Sequence, residues 1–447
     1  MSLHGLEGRA TLRAGLNSVR YINQISTLTI TNARILTLAG PGQPRRGAAL
    51  RDLGAIEHGF VRIEDGRIVE VGEGECALAA APAGDGGARS APRDVEVLDA
   101  DGCVLMPAFV DCHTHACWAG QRLDELEMKL AGRSYLDILE AGGGIMSTVR
   151  AVRAASQQEI TENLLRNLGR MALLGTATVE VKSGYGLTTR DELKMLRAVR
   201  EAASGSAMTI VPTFLGAHAI DPDNPKFIEQ TIDETLPAVV EEFPGIVCDA
   251  YCEEGAWSLD DTKRLFEKAQ SLGLPLRVHA DQFNSLGMTR LAVDMNAVSV
   301  DHLEATTPDD LTYLATSETM GVALPACGFH LDDRYAPARA FVDAGGALAI
   351  ATNYNPGSAP TPSMPFVIAL ACRKLALTVA EAIVAATINA ACVLGLQNHL
   401  GTIEVGKRAD LQLLDAADER ELGYEFAGAG PLLTIVAGQV LHRRVEN

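Results

Sequence analysis

Apolar residues at every second position mark the opening of the chain: TLTITNARILTL, GFVRIEDGRIVEVG and DVEVLDADGCVLMP, between Ile25 and Met106, have the period of half-buried strands, with a turn at Asp65-Gly66. Two Ala/Gly/Pro-rich stretches, AGPGQPRRGAALRDLGA and ALAAAPAGDGGARSAP, interrupt them and read as mobile loops. Past Met106 the rhythm changes to continuous apolar runs, each followed by a polar loop and an amphipathic helical pattern. LMPAFVDCHTH, TATVEVKS, MTIVPTFLG, GIVCDAYC, LPLRVHA, NAVSVDHL, TMGVALPA and GALAIATN make eight such runs. Runs without alternation are strands covered on both faces, and eight of them alternating with helices predict a parallel (β/α)₈ barrel. No G-x-G-x-x-G follows the first run, which argues against an open dinucleotide-binding sheet. GTIEVGKRADLQLLDA and PLLTIVAGQVLHRR then return to strand alternation. The pattern predicts an α/β chain: a distorted TIM-type barrel over 106–398, flanked by a β-sandwich built from both chain ends, 1–105 and 399–447.

Composition supports a large buried core, with 47% hydrophobic and 21% charged residues. The formal net charge of -19, without a basic run, opposes binding to a polyanion, so no nucleic-acid partner is expected. The longest apolar region, from Met364 to Leu396, is broken by Arg373, Lys374 and Glu381 and predicts buried helices, not a membrane span. Arg9, Arg13 and Arg20 precede no apolar leader block, which places the protein in the cytoplasm. The nine cysteines contain no C-x-x-C pair and read as small core residues in a reducing compartment.

Candidate chemistry gathers at strand ends. In FVDCHTHACWAG, His113 and His115 are two apart and so face one side, a metal pincer if they converge. His218, His279 and His302 each close another predicted strand. The C-terminal ends of barrel strands meet at one mouth, and five histidines around one rim are hard to explain as packing. His4, His58, His399 and His442 lie outside those strands and His330 falls in a predicted loop; these read as surface residues.

PAFVDCHTHACWAGQR, EAGGGIMSTVRAVRAAS, VEVKSGYGL, TFLGAHAI, HADQF, DHLE and NPGS, in that order, resemble the imidazolonepropionases, a family within the amidohydrolase superfamily. The resemblance implies one Zn²⁺ or Fe ion, held by two histidines of the first strand, a histidine of the fifth and an aspartate of the eighth. The first three correspond to His113, His115 and His279. It implies hydrolysis of 4-imidazolone-5-propanoate to N-formimidoyl-L-glutamate in histidine degradation. Arg122, Tyr185, His218, Gln282, Asn355, Gly357 and Ser358 would contact that substrate, with His302, Gln282 and the eighth-strand residue in catalysis. A guanidinium fork with a phenol is also what a carboxylate-bearing substrate asks for. Arg122 is equally placed to pair with Asp124 or Glu125, and Tyr185 to pack beside Gly184 and Gly186. Lys182 reads as a charge partner, since no lysine stands on the fourth strand to bridge two metals. A homodimer is expected by analogy with such barrels.

The sequence departs from the family pattern at one position. Where an aspartate before NPG is expected, ATNYNPG carries Asn353. An amide oxygen can ligate a metal but cannot take a proton at neutral pH. Three readings follow: an impaired imidazolonepropionase; a hydrolase or deaminase for another cyclic amide, to which Arg122 would be indifferent; and a ligand-binding homologue without turnover.

Overall fold

The computed structural model describes residues 27–76, 95–133, 137, 140–426, 428 and 430–444. His4, the basic residues before position 26 and the loop at 77–92 lie outside them.

The N-terminal strands are β1 (Thr27–Leu36), β2 (Ala55–Glu64), β3 (Arg67–Glu73), β4 (Val95–Asp99) and β5 (Val104–Pro107). β1, β2 and β3 form an antiparallel meander, while β4 and β5 pair parallel to successive stretches of β1. After Pro107 the chain passes into a second sheet. β6 (Phe109–Asp111), β7 (Thr176–Lys182), β8 (Thr209–Ala217), β9 (Val247–Cys252), β10 (Leu276–Ala280), β11 (Ser299–His302), β12 (Met320–Ala323) and β13 (Leu348–Ile350) pair in sequence order, all parallel. Strand pairing stops short of β13 and β6, and the barrel is closed there by other bonds. The His115 amide donates to Tyr354 O (3.1 Å) and the Asn353 amide to His113 O (3.1 Å). Thr352 donates from N (3.2 Å) and from Oγ1 (2.6 Å) to the Asp111 carboxylate. This seam is the distortion, and it sets the first and eighth strand ends side by side. β14 (Leu411–Leu413), β15 (Leu433–Val436) and β16 (Gln439–Arg443) return to the first sheet, β14 pairing with β5, so both chain ends build one flanking β-layer.

Every residue of β7, β10, β11, β12 and β13 is buried, as strands covered on both faces require, the charged Glu180, Lys182, Arg277 and Asp301 included. Five of the covering helices begin on the same local signal, a Ser or Thr three residues before an acidic residue. Ser156, Thr188, Ser258, Thr307 and Thr378 each accept from the backbone N–H of the acidic residue, satisfying a donor that the helix itself leaves free.

The 39–55 stretch, expected to be mobile, is tied down. Arg45 is buried; its guanidinium donates to the carbonyls of Leu38 (2.6 Å) and Ala39 (2.9 Å), and its amide donates to Asn389 Oδ1 (2.8 Å). Composition alone suggested a loop, but one long side chain supplies the bonds a free loop would take from water. His330, read from sequence as a loop residue, stands on the helix Pro325–Leu331.

Candidate active site

The strand ends bring together all five histidines. Ring centroids of His113 and His279 are 4.4 Å apart, His113 and His115 5.4 Å, His115 and His279 5.3 Å, and His279 and His302 5.6 Å, while His218 stacks on His115 at 4.7 Å. His113 and His115 lie just past β6 and His218 just past β8, while the ends of β10, β11 and β13 turn into left-handed backbone. Asp281 (φ 55°) follows β10, His302 (φ 89°) and Leu303 (φ 76°) close β11, and Asn353 (φ 53°) follows β13. Such conformations are costly for residues other than glycine and are held here by the surrounding packing.

Buried carboxylates orient two of the rings. His113 Nδ1 is 2.6 Å from Asp301 Oδ2, and His279 Nδ1 is 3.1 Å from Asp249 Oδ1. Each carboxylate fixes the proton on Nδ1 and leaves Nε2 as a lone-pair donor. Burial pushes His113 and His115 well below the usual histidine range. It lowers His279 and His218 to about 4, so these rings are neutral and able to ligate. Beneath them runs a charge network. Lys182 Nζ lies 2.7 Å from both Glu180 and Asp249; Arg277 donates to Asp301 (2.6 Å), Ser299 Oγ (2.9 Å) and the Cys112 carbonyl (2.8 Å). Burial would raise Asp249, but His279 and Lys182 hold it well below the carboxylate range. Lys182 is thus a charge partner, as its sequence position suggested.

Asp249, Asp301, Glu180 and Arg277 were not singled out from sequence. Their signal was present: each is a charged residue inside a run with the apolar character of a buried strand.

A metal fits this cluster. His113 Nε2, His115 Nδ1 and Asn353 Oδ1 are buried without a hydrogen-bond partner. The Nε2 atoms of His115 and His279 face each other at 3.2 Å, and one nitrogen from each of His113, His279 and His302 lies within 4.8 Å of the others. Imidazole nitrogens with an amide oxygen form a borderline donor set suited to Zn²⁺ or Fe²⁺.

The mouth holds the remaining predicted residues. Arg122 does pair with Glu125, from Nε (2.8 Å) and Nη2 (2.5 Å), and Glu125 also accepts the Gly144 amide (3.1 Å). The third guanidinium nitrogen, Nη1, lies where a Cβ on Gly357 would sit, so Arg122 rests against the NPGS loop and a larger residue there would have to displace it. Tyr185 is buried beside the rings of His218 (5.1 Å) and His115 (6.0 Å). Gln282 Nε2 donates to Cys327 Sγ (3.3 Å), and His218 Nδ1 is 3.0 Å from Gly184 O. Asn355 spends its side chain on the loop itself, accepting the amides of Gly357 (2.8 Å) and Ser358 (2.7 Å) and donating to Asn353 O (2.6 Å). Asn353 Nδ2 is 3.5 Å from Ser358 Oγ.

His302 Nδ1 lies 3.3 Å from Glu304 Oε1. Burial would lower this histidine, yet the Glu304 charge and a hydrogen bond to Cys327 push it up to about 10. It offers an N–H and not a free base.

A family model described as the amidohydrolase family matches residues 104–441. An imidazolonepropionase from Herpetosiphon aurantiacus is 44% identical over 93% of this chain and 97% of its own. One from Symbiobacterium thermophilum is 41% identical over 92% and 96%. The chain belongs to the imidazolonepropionase family of amidohydrolases. Among solved structures, a 5-methylcytosine deaminase from Klebsiella pneumoniae covers 94% of this chain with 98% of its own matched, at a TM-score of 0.67 and 17% identity. The guanine deaminase of E. coli covers 95% with 100% of its own matched, at a TM-score of 0.68 and 15% identity. These share the imidazolonepropionase fold of barrel and flanking β-layer, at identities that speak for fold alone.

Proposed function

We propose that the chain hydrolyses the ring amide of 4-imidazolone-5-propanoate, giving N-formimidoyl-L-glutamate in histidine degradation. The observation that carries the reading is a guanidinium held at the mouth of a buried histidine cluster whose free lone pairs converge. His113, His115 and His279, with the Asn353 amide oxygen, would hold one Zn²⁺ or Fe ion, which supplies Lewis acidity and lowers the pKa of water.

The protein's own groups do the rest. Arg122, braced by Glu125, presents Nη1 toward the substrate carboxylate, with Tyr185 and Ser358 as further donors. His218 and Gln282 bracket the ring. His302 donates its N–H to the oxygen that gains charge as water adds to the ring carbonyl. Water adds, the ring C–N bond breaks, the former carbonyl becomes the new carboxylate, and the freed nitrogen gains the proton that water loses and becomes the terminal nitrogen of the formimidoyl group. Asn353 cannot take the proton that water loses. Loss of a general base typically costs about 10²–10⁴-fold, so a slow enzyme is expected.

The further site assignments, the domain boundaries at 105/106 and 398/399, cytoplasmic placement and a homodimer belong to the same reading. Among the described residues no helix is long and apolar enough to cross a membrane. Asn353 also favours a second reading, a homologue that binds this ligand without turning it over. Product release from 4-imidazolone-5-propanoate by this chain and by Asn353→Asp, with metal supplied, separates them. Slow turnover that the aspartate accelerates supports the enzyme; tight binding with no product from either form supports the binding protein.

A further inference from the structure

A second cluster of ligating side chains lies against the first, and the catalytic reading uses only one of its members. His302, Glu304 and Cys327 each place one ligand atom within 4.8 Å of the others. The left-handed backbone at His302 and Leu303 folds the chain so that Glu304, two residues on, returns to within 3.3 Å of His302 Nδ1. The Glu304 side chain is 5% exposed and its second oxygen, Oε2, is buried with no partner. Cys327 is buried as well, and its sulfur accepts from Gln282 Nε2. Glu304 Oε1 faces His302, but Oε2 has no donor, and a buried carboxylate oxygen without one is a costly arrangement that a ligated cation would relieve.

We propose that His302, Glu304 and Cys327 form a second cation site that takes a thiophilic divalent ion such as Zn²⁺ or Co²⁺. Bonds of about 2.0–2.3 Å to nitrogen, oxygen and sulfur place ligand atoms roughly 3.3–3.8 Å apart, so the 3.3 Å separation is already that of a coordinated pair and the sulfur needs a small inward movement. Binding releases the proton shared by His302 and Glu304 and the thiol proton. The resulting thiolate and carboxylate neutralise the dication, which a buried site requires. An ion on the His302 nitrogen that faces Glu304 displaces the proton there and pins the ring as a neutral ligand, so the site is expected to be inhibitory. That consequence rests on the function proposed above, whereas the binding does not.

The histidine cluster contains no sulfur ligand, which gives the test its specificity. Protein carrying one equivalent of Zn²⁺ is titrated with Co²⁺ in wild type, Cys327→Ser and Glu304→Gln, and the near-ultraviolet sulfur-to-cobalt charge-transfer band is followed. The site predicts a band saturating near one further equivalent, abolished by Cys327→Ser and weakened at least about tenfold in affinity by Glu304→Gln, since even outer partners of a metal command that much. Unchanged melting temperature and unchanged first-equivalent zinc content show that the variants fold. No band at saturating Co²⁺, or a band that survives Cys327→Ser, overturns the proposal. In the same preparations, inhibition of hydrolysis by excess Zn²⁺ should disappear in Cys327→Ser. A sulfur band without inhibition leaves the site standing and removes only its inhibitory role.

Discussion

On the proposed reading substrate choice turns on Arg122, two of whose three guanidinium nitrogens are committed to Glu125 while the third rests against Gly357. A hydrogen bond to a charged group contributes about 1.5–3 kcal/mol. Arg122→Ala should therefore lower kcat/KM for 4-imidazolone-5-propanoate by about tenfold to 150-fold. Gly357→Ala should reproduce most of that loss with Arg122 intact, since the new methyl occupies the place of Nη1. Steady-state kinetics of both variants check this, and an Arg122→Ala enzyme of unchanged efficiency would show that Arg122 does not hold the substrate's carboxylate. Below the histidines, Asp301 should act on the metal through His113. Asp301→Asn frees the ring to take the other tautomer and should weaken metal affinity by about 10–100-fold, measurable by competition with a chelator. The difference between these residues also shows what a sequence reveals. His113, His115, His218, His279 and His302 were legible because each closes an apolar run and strand ends converge. Asp301 meets His113 across 188 residues of chain, and no local pattern records such a partner. Asn355 was legible as part of NPGS, but the bonds by which it holds that loop depend on the turn geometry.

At the scale of elements, the strands were legible from hydrophobic runs alone, whereas the seam between the first and eighth was not. It depends on Thr352 reaching Asp111, a contact that exists only once the barrel has curved round. Helix starts are the reverse case, with their signal written locally and repeated five times. Ser156 and Glu159 form a reciprocal capping box at the head of the helix Gln157–Ala172, on an exposed face. Ser156→Ala should destabilise the protein by about 1 kcal/mol, and Ser156→Gly by only a few tenths, because glycine leaves the N-terminal amides open to water. Denaturant midpoints for the two variants decide this, and equal losses would mean that the effect is the lost Ser156 side-chain bond alone, with nothing gained from the openness of glycine.

The whole molecule is joined across its two halves by a buried carboxylate. Glu381, in the first turn of the helix Val379–Ala385, accepts from Arg339 (2.8 and 3.0 Å) and from Arg51 (3.0 Å), the latter on the stretch that leads out of the flanking β-layer. Burial would raise its pKa, but the two guanidiniums and the Thr378 amide bring it below the ordinary glutamate range. A carboxylate more acidic in the folded state than in the unfolded one stabilises the protein above the unfolded value of about 4.3, and this contribution is lost as pH falls through the lower folded value. Global charge acts in the opposite sense, since acid relieves the repulsion of a chain with net charge -19. Subtracting a Glu381→Gln variant from the parent cancels most of that shared background and isolates the one group. The parent should exceed the variant by about 1.5–3 kcal/mol at pH 7, the scale of a hydrogen-bonded charge. The gap should close progressively below about pH 4.3 in thermal unfolding. A gap that stayed constant into acid would mean that Glu381 joins the halves by shape and hydrogen-bond count, with its charge contributing nothing.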